Sequence, residues 1–433
     1  MSERAEDVSK QMREDWNRRA REDAHYYVAF GGRDQDEAEF DATAADVLKN
    51  LEAELKRLAA NANRRAWRAL EIGCGPGRLM KPLSRHFGEI HGVDVSDEMI
   101  ALARERLRGI PHAHVHATSG ASLAQFADES FDFVYTFAVF QHIPSREVVL
   151  EYMREIRRVL KPGGIFRGQF NGLEKRGSSP TTWSGVTFSA DDIHGFTREK
   201  GFELLALDGV ATQYMWTTWR KPGGSLPTPQ LRPPRIHRIT HAYTREPAVP
   251  NRGRHTAIAV SLENLPAECD LNSLEVLVEG VAAAPCYIGP PGSDRLQQIN
   301  AWLPKQIRTG LLPLELRYQG QPLGQPAILR VIPAGPMVPR IISITDGVNL
   351  VQHNLISTGH VKVQLEEVSE PESITAKVDG RPIPHVEVLC IDPRPPRYEV
   401  NLRLPWLLPA GQHVLQLQVG PRRLLPARIE TRS

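Results

Sequence analysis

The first half of the chain alternates short apolar runs with stretches in which apolar residues recur at helical spacing. Met99, Ala103 and Leu107 share one helical face, as do Val149, Met153, Ile156 and Leu160. The short runs predict five strands: Leu70–Ile72, His91–Val95, His112–His116, Phe131–Tyr135 and Gly164–Phe166. This alternation predicts a doubly wound α/β domain with a parallel sheet, whose ligands bind at the carboxyl ends of the strands.

The second half has a different pattern, with short alternating runs and frequent proline. Of the 34 prolines, only 7 lie up to Pro222. Proline ends helices and occurs at strand edges and turns, so we expect the second half to be all-β. A repeat divides this half, because Asn300, Pro304, Gly310 and Leu316 recur as Asn401, Pro405, Gly411 and Leu417, all at an offset of 101.

These patterns predict a multidomain chain. We expect an α/β domain at 1–222, a Pro/Gly-rich linker at 223–233, and two β-sandwich repeats at 234–336 and 337–433. Each domain is long enough to bury its own core. The repeats resemble bacterial immunoglobulin-like modules in size and strand pattern. Such modules mediate self-association or contacts with a protein or glycan, and the sequence leaves these alternatives open.

Composition narrows the partners and the location. Among 433 residues, 53 Lys and Arg balance 51 Asp and Glu, which argues against a dedicated nucleic-acid binder. The chain has neither an apolar run of membrane-spanning length nor a hydrophobic signal core at its start, so we expect a cytoplasmic protein without membrane contact. The four cysteines form no C-x-x-C pair, so neither disulfides nor a zinc site is expected.

The strongest chemical signal is the segment Glu71-Ile-Gly73-Cys74-Gly75-Pro76-Gly77-Arg78, between a predicted strand and a helix. Glycines at these positions allow a sharp turn and a close approach of the backbone to a ligand. A dinucleotide fingerprint requires a third glycine where Arg78 stands, so NAD is disfavoured.

The segment resembles the first motif of class I S-adenosylmethionine-dependent methyltransferases. Further segments, Glu129–Val134 and Leu160–Gly164, resemble the family's fourth-strand motif and the turn before its fifth strand. The resemblance implies S-adenosyl-L-methionine as cofactor and S-adenosyl-L-homocysteine as product. Asp94 then accepts hydrogen bonds from the ribose hydroxyls, and Met99 packs on the adenine. The full implied cofactor set is Glu71, Gly73, Gly75, Gly77, Asp94, Met99, Ser119, Gly120 and Phe137.

The resemblance also implies the side on which the acceptor binds. A sulfonium methyl is already activated, so the protein mainly positions it in line with a small-molecule acceptor. His142 and Gln141, after strand four, are the candidate catalytic residues, although a histidine that only fixes loop geometry through a backbone hydrogen bond is the somewhat favoured alternative. Trp16, Tyr26 and Tyr27 of an N-terminal helix form a candidate lid, or else part of a plain amphipathic helix. The segment Gln169–Trp183, which contains Asn171, is a candidate acceptor flap that also fits an idle surface loop.

Other functions compete with methyl transfer to a small molecule. A nucleic-acid methyltransferase is disfavoured because the sequence has no basic patch and no N-P-P-Y motif. A cofactor-binding but catalytically silent scaffold stays open, with the β repeats holding a partner. His112, His114 and His116 alternate along a predicted buried strand and would share one face, but we assign no metal.

Overall fold

The computed structural model describes most of the chain, apart from short gaps. The described ranges are 3–29, 35–58, 63–120, 122–173, 179–223, 233–252, 256–305, 307–335, 337–347, 354–392, 397–404 and 408–431. Nearly all of the predicted linker, at 224–232, therefore lies outside the described residues, as do residues 174–178 of the candidate flap.

The first half contains seven α-helices and seven strands within the described residues. The helices are α1 Glu3–Ala29, α2 Glu37–Ala42, α3 Ala45–Glu54, α4 Met80–Leu83, α5 Asp97–Arg106, α6 Arg146–Val159 and α7 Ala190–Lys200. The strands are β1 Arg68–Ile72, β2 Glu89–Asp94, β3 Ala113–Ala117, β4 Phe131–Thr136, β5 Leu160–Phe170, β6 Glu203–Asp208 and β7 Met215–Arg220.

These strands form a sheet in the order β3-β2-β1-β4-β5-β7-β6. The first five are parallel, and β7 is antiparallel to both of its neighbours. The Rossmann-like α/β fold is therefore confirmed. All five predicted strands are present. The strand order reverses between β1 and β4, which is where such sheets bind ligands.

Two sequence expectations differ from the structure. The segment Leu160–Gly164 was expected to be a turn, but it belongs to β5, because Leu160 pairs with Phe131 and Lys221 bonds to both Gly163 and Gly164. The strand β3 was expected to be buried, but it lies at the edge of the sheet and His114 is exposed. A parallel strand with only one neighbour is not covered on both sides.

The second half is mostly β-sheet, as predicted. The first β unit contains β8 Arg235–His241, β9 Ala248–Pro250, β10 Ala257–Glu263, β11 Leu274–Val278, β12 Val281–Ile288, β13 Gln297–Trp302, β14 Gly310–Tyr318, β15 Gln321–Pro322 and β16 Ala327–Ile332. The second β unit contains β17 Arg340–Asp346, β18 Leu355–Ile356, β19 His360–Glu366, β20 Ile374–Val378, β21 Arg381–Pro382, β22 His385–Asp392, β23 Arg397–Arg403, β24 Gly411–Val419, β25 Arg422–Arg423 and β26 Ala427–Thr431.

The first β unit is joined to the α/β domain through backbone pairing. Tyr287 of β12 pairs with Ala206 of β6, so the sheet continues from one into the other. Leu271 N also donates to Leu204 O at 2.8 Å. One hydrophobic core extends across both parts, whereas the second β unit has a core of its own. The first β unit therefore shares a core with the α/β domain, and its β12 covers the otherwise open β6 edge.

Within the described ranges, each helix is too short or too polar to cross a bilayer.

Candidate cofactor and acceptor site

The glycine-rich loop follows β1 and turns back under the carboxyl end of β2. Gly73 N and Cys74 N both donate to Val93 O, at 2.8 and 3.0 Å. Gly73 has φ of +69°, and a Cβ at this position would lie 2.3 Å from Val139 Cγ2. Both the backbone angle and the space therefore require glycine at this residue.

Asp94 lies at the end of β2, beside this loop. Its Oδ2 accepts a hydrogen bond from Gly75 N at 2.9 Å, and its Oδ1 accepts one from Ser96 N at 2.9 Å. Burial raises the pKa of Asp94, while the backbone N–H groups partly oppose this shift. The carboxylate is fixed by these two bonds, and each oxygen retains a lone pair for a ligand.

Ser96 begins α5, as its sequence position suggests. Its Oγ accepts a hydrogen bond from Met99 N at 3.1 Å, which caps the helix. The same hydroxyl donates to Asn17 Oδ1 of α1 at 2.7 Å. The helix cap next to Asp94 is therefore also the point where α1 is attached.

A second buried acid, Glu71, lies beside the loop, next to Tyr135 and Arg78. Tyr135 Oη donates to Glu71 Oε2 at 2.9 Å. Burial raises the pKa of Glu71 to about 8, although the Tyr135 hydrogen bond and the Arg78 charge oppose the shift. Arg78 is 5% exposed, and its Nε has no hydrogen-bond partner among the described residues. The pocket thus contains a buried acid and a buried cation with an unused donor.

One pocket is lined by many of the predicted site residues. Those that line it are Glu71, Gly73, Gly75, Asp94, Met99, Phe137, His142, Trp16 and Tyr27. Those that do not are Gly77, Ser119, Gly120, Gln141, Tyr26 and Asn171. Gly77 instead packs under Leu107, and a Cβ on Gly120 would lie 2.3 Å from Ser9 Oγ of α1.

Helix α1 forms one wall of this pocket through Met12, Trp16, Tyr27 and Val28. It is held on two sides. Arg13 donates to Thr118 O at 3.0 Å, and Arg19 donates to Thr182 O and Oγ1 at 3.1 and 3.0 Å. The Arg19 guanidinium also lies 4.7 Å from the Trp16 ring centroid. The helix is therefore fastened over the carboxyl ends of the strands.

The acceptor side is built from neutral polar side chains. His142 Nδ1 donates to Trp183 O at 2.8 Å, because a carbonyl can only accept. His142 Nε2 therefore accepts in the neutral ring, and Gln141 Nε2 lies 3.3 Å away as the donor. Both ring nitrogens are hydrogen-bonded, so His142 connects the turn after β4 to the segment around Trp183.

Gln169 is at the centre of the hydrogen bonds on this side. It is fully buried, and its Oε1 accepts from Ala138 N at 3.0 Å. Its Nε2 lies within hydrogen-bonding distance of Gln141 Oε1, Phe170 O and Gln213 O, at 3.1, 2.9 and 2.6 Å. Ala138 has φ of +57°, a left-handed angle that costs energy for a residue other than glycine. Gln169 thus holds a strained turn next to the pocket.

An aromatic stack stands beside that turn. The Phe137 ring lies parallel to those of Trp216 and Tyr214, with centroid distances of 5.4 and 6.2 Å. The buried Arg167 guanidinium lies 4.9 Å from the Trp216 centroid. Of these residues, only Phe137 lines the pocket.

Sequence reasoning missed Arg78, Tyr152 and Gln169 as site residues. Arg78 was considered only as the absence of a glycine, yet its place directly after the loop is a usable signal. Tyr152 lines the pocket from α6, where helical spacing alone predicts a core position. Gln169 was considered only as the first residue of the candidate flap; its signal is a neutral polar residue next to Phe170 at the end of β5.

The histidines near β3 form a different arrangement from the one predicted. His114 and His116 have ring centroids 5.0 and 5.5 Å from that of His91, whereas His112 bonds to Ser84 O. Burial and neighbouring positive charges lower the pKa of His91 to about 4. Over the described part of the chain, no group of three or more His, Cys, Asp and Glu side chains is arranged to hold a metal ion.

Comparisons with known proteins agree with this geometry. Residues 70–167 match the family model described as "Methyltransferase domain". Phosphoethanolamine N-methyltransferase 2 of Caenorhabditis elegans is 38% identical over 97 residues, which cover 22% of this chain and 22% of that protein. Methyltransferase GfsG of Streptomyces halstedii is 30% identical over 159 residues, or 34% and 56% of the two chains.

A solved structure also aligns with the first half. Geranyl diphosphate C-methyltransferase from Streptomyces coelicolor A3(2) has a TM-score of 0.37 and 14% identity, over 49% of this chain and 97% of that one. The chain spans between about a fifth and three fifths of the length of the two curated relatives above. Residues 70–167 are therefore similar to a methyltransferase domain, and S-adenosyl-L-methionine is the cofactor that this similarity supports.

Proposed function

We propose that this protein binds S-adenosyl-L-methionine in the pocket above β1, β2 and β4 and transfers its methyl group to a small-molecule acceptor. The observation that carries the proposal is the pairing of the Gly73–Gly77 turn with the Asp94 carboxylate, which the Gly75 N–H fixes at 2.9 Å. When bound, the cofactor supplies an activated methyl group, so no further activation of the donor is needed.

The residues present fit this cofactor. Asp94 offers two oxygens to a vicinal diol, and Met99 supplies an apolar surface, 1% exposed, for the base. The amino-acid end carries an ammonium and a carboxylate. Glu71 and Arg78 would hold these groups, since one is a buried acid and the other a buried cation whose Nε has no partner among the described residues. Of these two, Glu71 belongs to the cofactor set expected from the sequence, and Arg78 is added here.

The acceptor would bind beside Phe137 and His142. His142 acts on it only after Gln141 turns away, because Gln141 donates to His142 Nε2 in the present arrangement. The freed Nε2 would then accept the acceptor's proton, while the bond to Trp183 O keeps the ring oriented. Trp16 and Tyr27 exclude water from the methyl group in this proposal, so α1 acts as a lid.

A labelled-methyl assay tests the proposal. The full chain is incubated with S-adenosyl-L-methionine carrying a labelled methyl group and a panel of hydroxyl, amine and carboxylate metabolites. We expect label transfer to at least one member, with loss of transfer in His142→Ala and retained binding of S-adenosylhomocysteine. Transfer that persists in His142→Ala would reduce His142 to a structural role.

A second candidate is a cofactor-binding scaffold without turnover. The hydrogen bonds at both His142 nitrogens favour it, because they give the ring a complete structural role. In this case S-adenosylhomocysteine binds, but no label is transferred to any member of the panel, nor to water or to the protein itself.

The two β units are proposed as immunoglobulin-like modules, at 234–336 and 337–433. Their support is the equivalent strand order: β8-β10-β13-β12 in the first unit matches β17-β19-β23-β22 in the second, and each unit has a parallel pair, β9 with β16 and β18 with β26. In the first unit β12 also pairs with β11, so its strands form one continuous sheet. They are proposed as binding modules rather than as parts of the catalytic pocket.

A further inference from the structure

The two β units share one scaffold but differ on one outer face. In the first unit, β14 pairs with β11 and β16; in the second, β24 pairs with β20 and β26. The inward residues are buried in both units, for example Leu312 and Leu314 in β14, and His413 and Leu415 in β24. The strand pairing defines which outward residue of one unit corresponds to which of the other.

Three outward-facing residues of the first unit are apolar where those of the second are polar. From the registers, Leu277, Leu311 and Ile328 correspond to Lys377, Gln412 and Arg428. Leu311 and Ile328 are 68% and 62% exposed. Single exposed apolar residues are common, but a group of them on adjacent strands marks an interaction surface.

We propose that this face of the first β unit, defined by Leu277, Leu311, Pro313, Glu315, Ile328 and Arg330, is the interface of a homodimer. Its partner is the same face of a second copy. The contrast with the second unit shows that the fold does not require apolar residues here, so an interaction explains them better than folding does.

The charges at the two ends of the face suit a two-fold arrangement. The face contains three successive rows of cross-strand neighbours: Leu277 with Glu315, Pro313 with Ile328, and Leu311 with Arg330. Within each row the neighbouring strands are about 4.8 Å apart. Pro313 and Ile328 of the middle row are uncharged. Arg330 lies at one end. At the other end Glu315 pairs with Arg317 at 3.4 Å, and Glu275, the cross-strand neighbour of Arg317, adds a second acid, so this end keeps a net negative charge.

A two-fold axis along the middle row reverses the order of the outer rows in the second copy. It brings Arg330 of each copy to the end where Glu315 of the other lies. The two charge pairs then flank a centre formed by Pro313 and Ile328. This reciprocal pattern is what an isologous dimer interface requires. In the second unit, Gln416 and Glu430 replace the acid and the cation, so its equivalent face lacks this complementarity.

Sedimentation of the full chain tests the interface directly. We expect a dimer at about 100 µM that dissociates towards about 1 µM, as for a micromolar equilibrium. The variant Leu311→Gln with Ile328→Arg introduces the residues that the second unit already carries. It should remain monomeric over this range, with an unchanged circular dichroism spectrum and unchanged binding of S-adenosylhomocysteine.

Two further variants locate the contact. Val414→Arg alters the equivalent face of the second unit and should leave the dimer intact. Arg330→Glu should weaken dimerisation about tenfold or more, and adding Glu315→Arg should restore it, because the reciprocal pairs are then rebuilt with reversed sign. A monomeric wild type, a dimer that survives the double variant, or dissociation by Val414→Arg would each overturn the proposal.

Discussion

The cofactor half and the acceptor half of the candidate pocket are built in different ways. The cofactor half relies on backbone geometry and buried charge: glycines with positive φ, Asp94 held by two N–H groups, and Glu71 beside Arg78. The acceptor half relies on a connected set of neutral side chains, Gln169, Gln141 and His142. The first is held by backbone N–H groups, whereas the second is held by hydrogen bonds between side chains.

The difference teaches that changes on the two sides should have separable effects. Changes to the loop or to Asp94 should reduce cofactor binding. Changes to the Gln169 network should disturb the turn at Ala138 and the acceptor side, with a smaller effect on the cofactor. The following predictions test this separation.

Gly73→Ala should have the largest effect. The new Cβ would lie 2.3 Å from Val139 Cγ2, and the residue would have to keep φ of +69°. Left-handed strain and overpacking together should lower the free energy of unfolding by about 2 to 4 kcal/mol. Chemical denaturation measures this change. Gly109→Ala is the control, since a Cβ there meets nothing within 4 Å; equal losses in both variants would contradict the account.

Gln169→Leu should lower the free energy of unfolding by slightly less than Gly73→Ala, and it should alter the acceptor half of the pocket. It removes the partner of Ala138 N and the donor to Gln213 O, which should cost about 1 to 3 kcal/mol of unfolding free energy. Cofactor affinity, measured by calorimetry on the folded variant, should change less than threefold, or by about 0.6 kcal/mol.

The exposed Gln213 provides the matched control for this variant. Gln213 takes part in the network only through its backbone carbonyl. Gln213→Leu should therefore leave the free energy of unfolding and the cofactor affinity unchanged. A tenfold loss of cofactor affinity in Gln169→Leu would show that the two halves are not separable.

Asp94→Ala should reduce cofactor affinity at least tenfold, or by about 1.4 kcal/mol. The variant removes the two oxygens expected to accept from the ribose, and also leaves Gly75 N and Ser96 N without their acceptor. Isothermal titration with S-adenosylhomocysteine measures the loss. The control is Asp97 at the start of α5, an acid whose side chain is 57% exposed. Asp97→Ala should bind S-adenosylhomocysteine as the wild type does.

The pH dependence of cofactor binding should give the smallest effect. The pKa of Glu71 is raised to about 8, so most of this carboxyl is protonated at neutral pH in the free protein. The ammonium of the ligand favours the ionised form, and binding should therefore release a proton. Affinity should fall as pH decreases below 8, by up to about tenfold per unit, and rise no further above it.

Glu71→Gln should abolish this dependence. Titrations in buffers of different ionisation enthalpy detect the released proton directly. A pH-independent affinity in the wild-type protein between pH 6 and about 8 would remove Glu71 from the ammonium site.

The same division explains how much was predictable from the sequence. The turn, the helix cap at Ser96 and the acid Asp94 are local features, encoded by residues within one strand and the following helix. The network around Gln169 depends on contacts with Ala138 and Gln213, which are brought together only by the sheet order. Its buried glutamine was visible in the sequence, but its partners were not.

Tertiary context also decided the two elements that differed. Leu160–Gly164 has the composition of a turn. It is nevertheless part of the sheet, because Lys221, directly after β7, forms backbone hydrogen bonds with Gly163 and Gly164. The exposure of β3 follows from its place at the sheet edge, which no local pattern encodes. The pairing of β12 with β6 is likewise a consequence of assembly rather than of either strand alone.

The central claim is that the pocket beside Asp94 is a site for a methionine-derived nucleoside. Calorimetry of the full chain with S-adenosylhomocysteine, and separately with NADH, tests it most directly. The account predicts one S-adenosylhomocysteine site per chain, weakened by Asp94→Ala, and no heat with NADH. Saturable binding of NADH that Asp94→Ala weakens, or no binding of S-adenosylhomocysteine by the wild type, would contradict it.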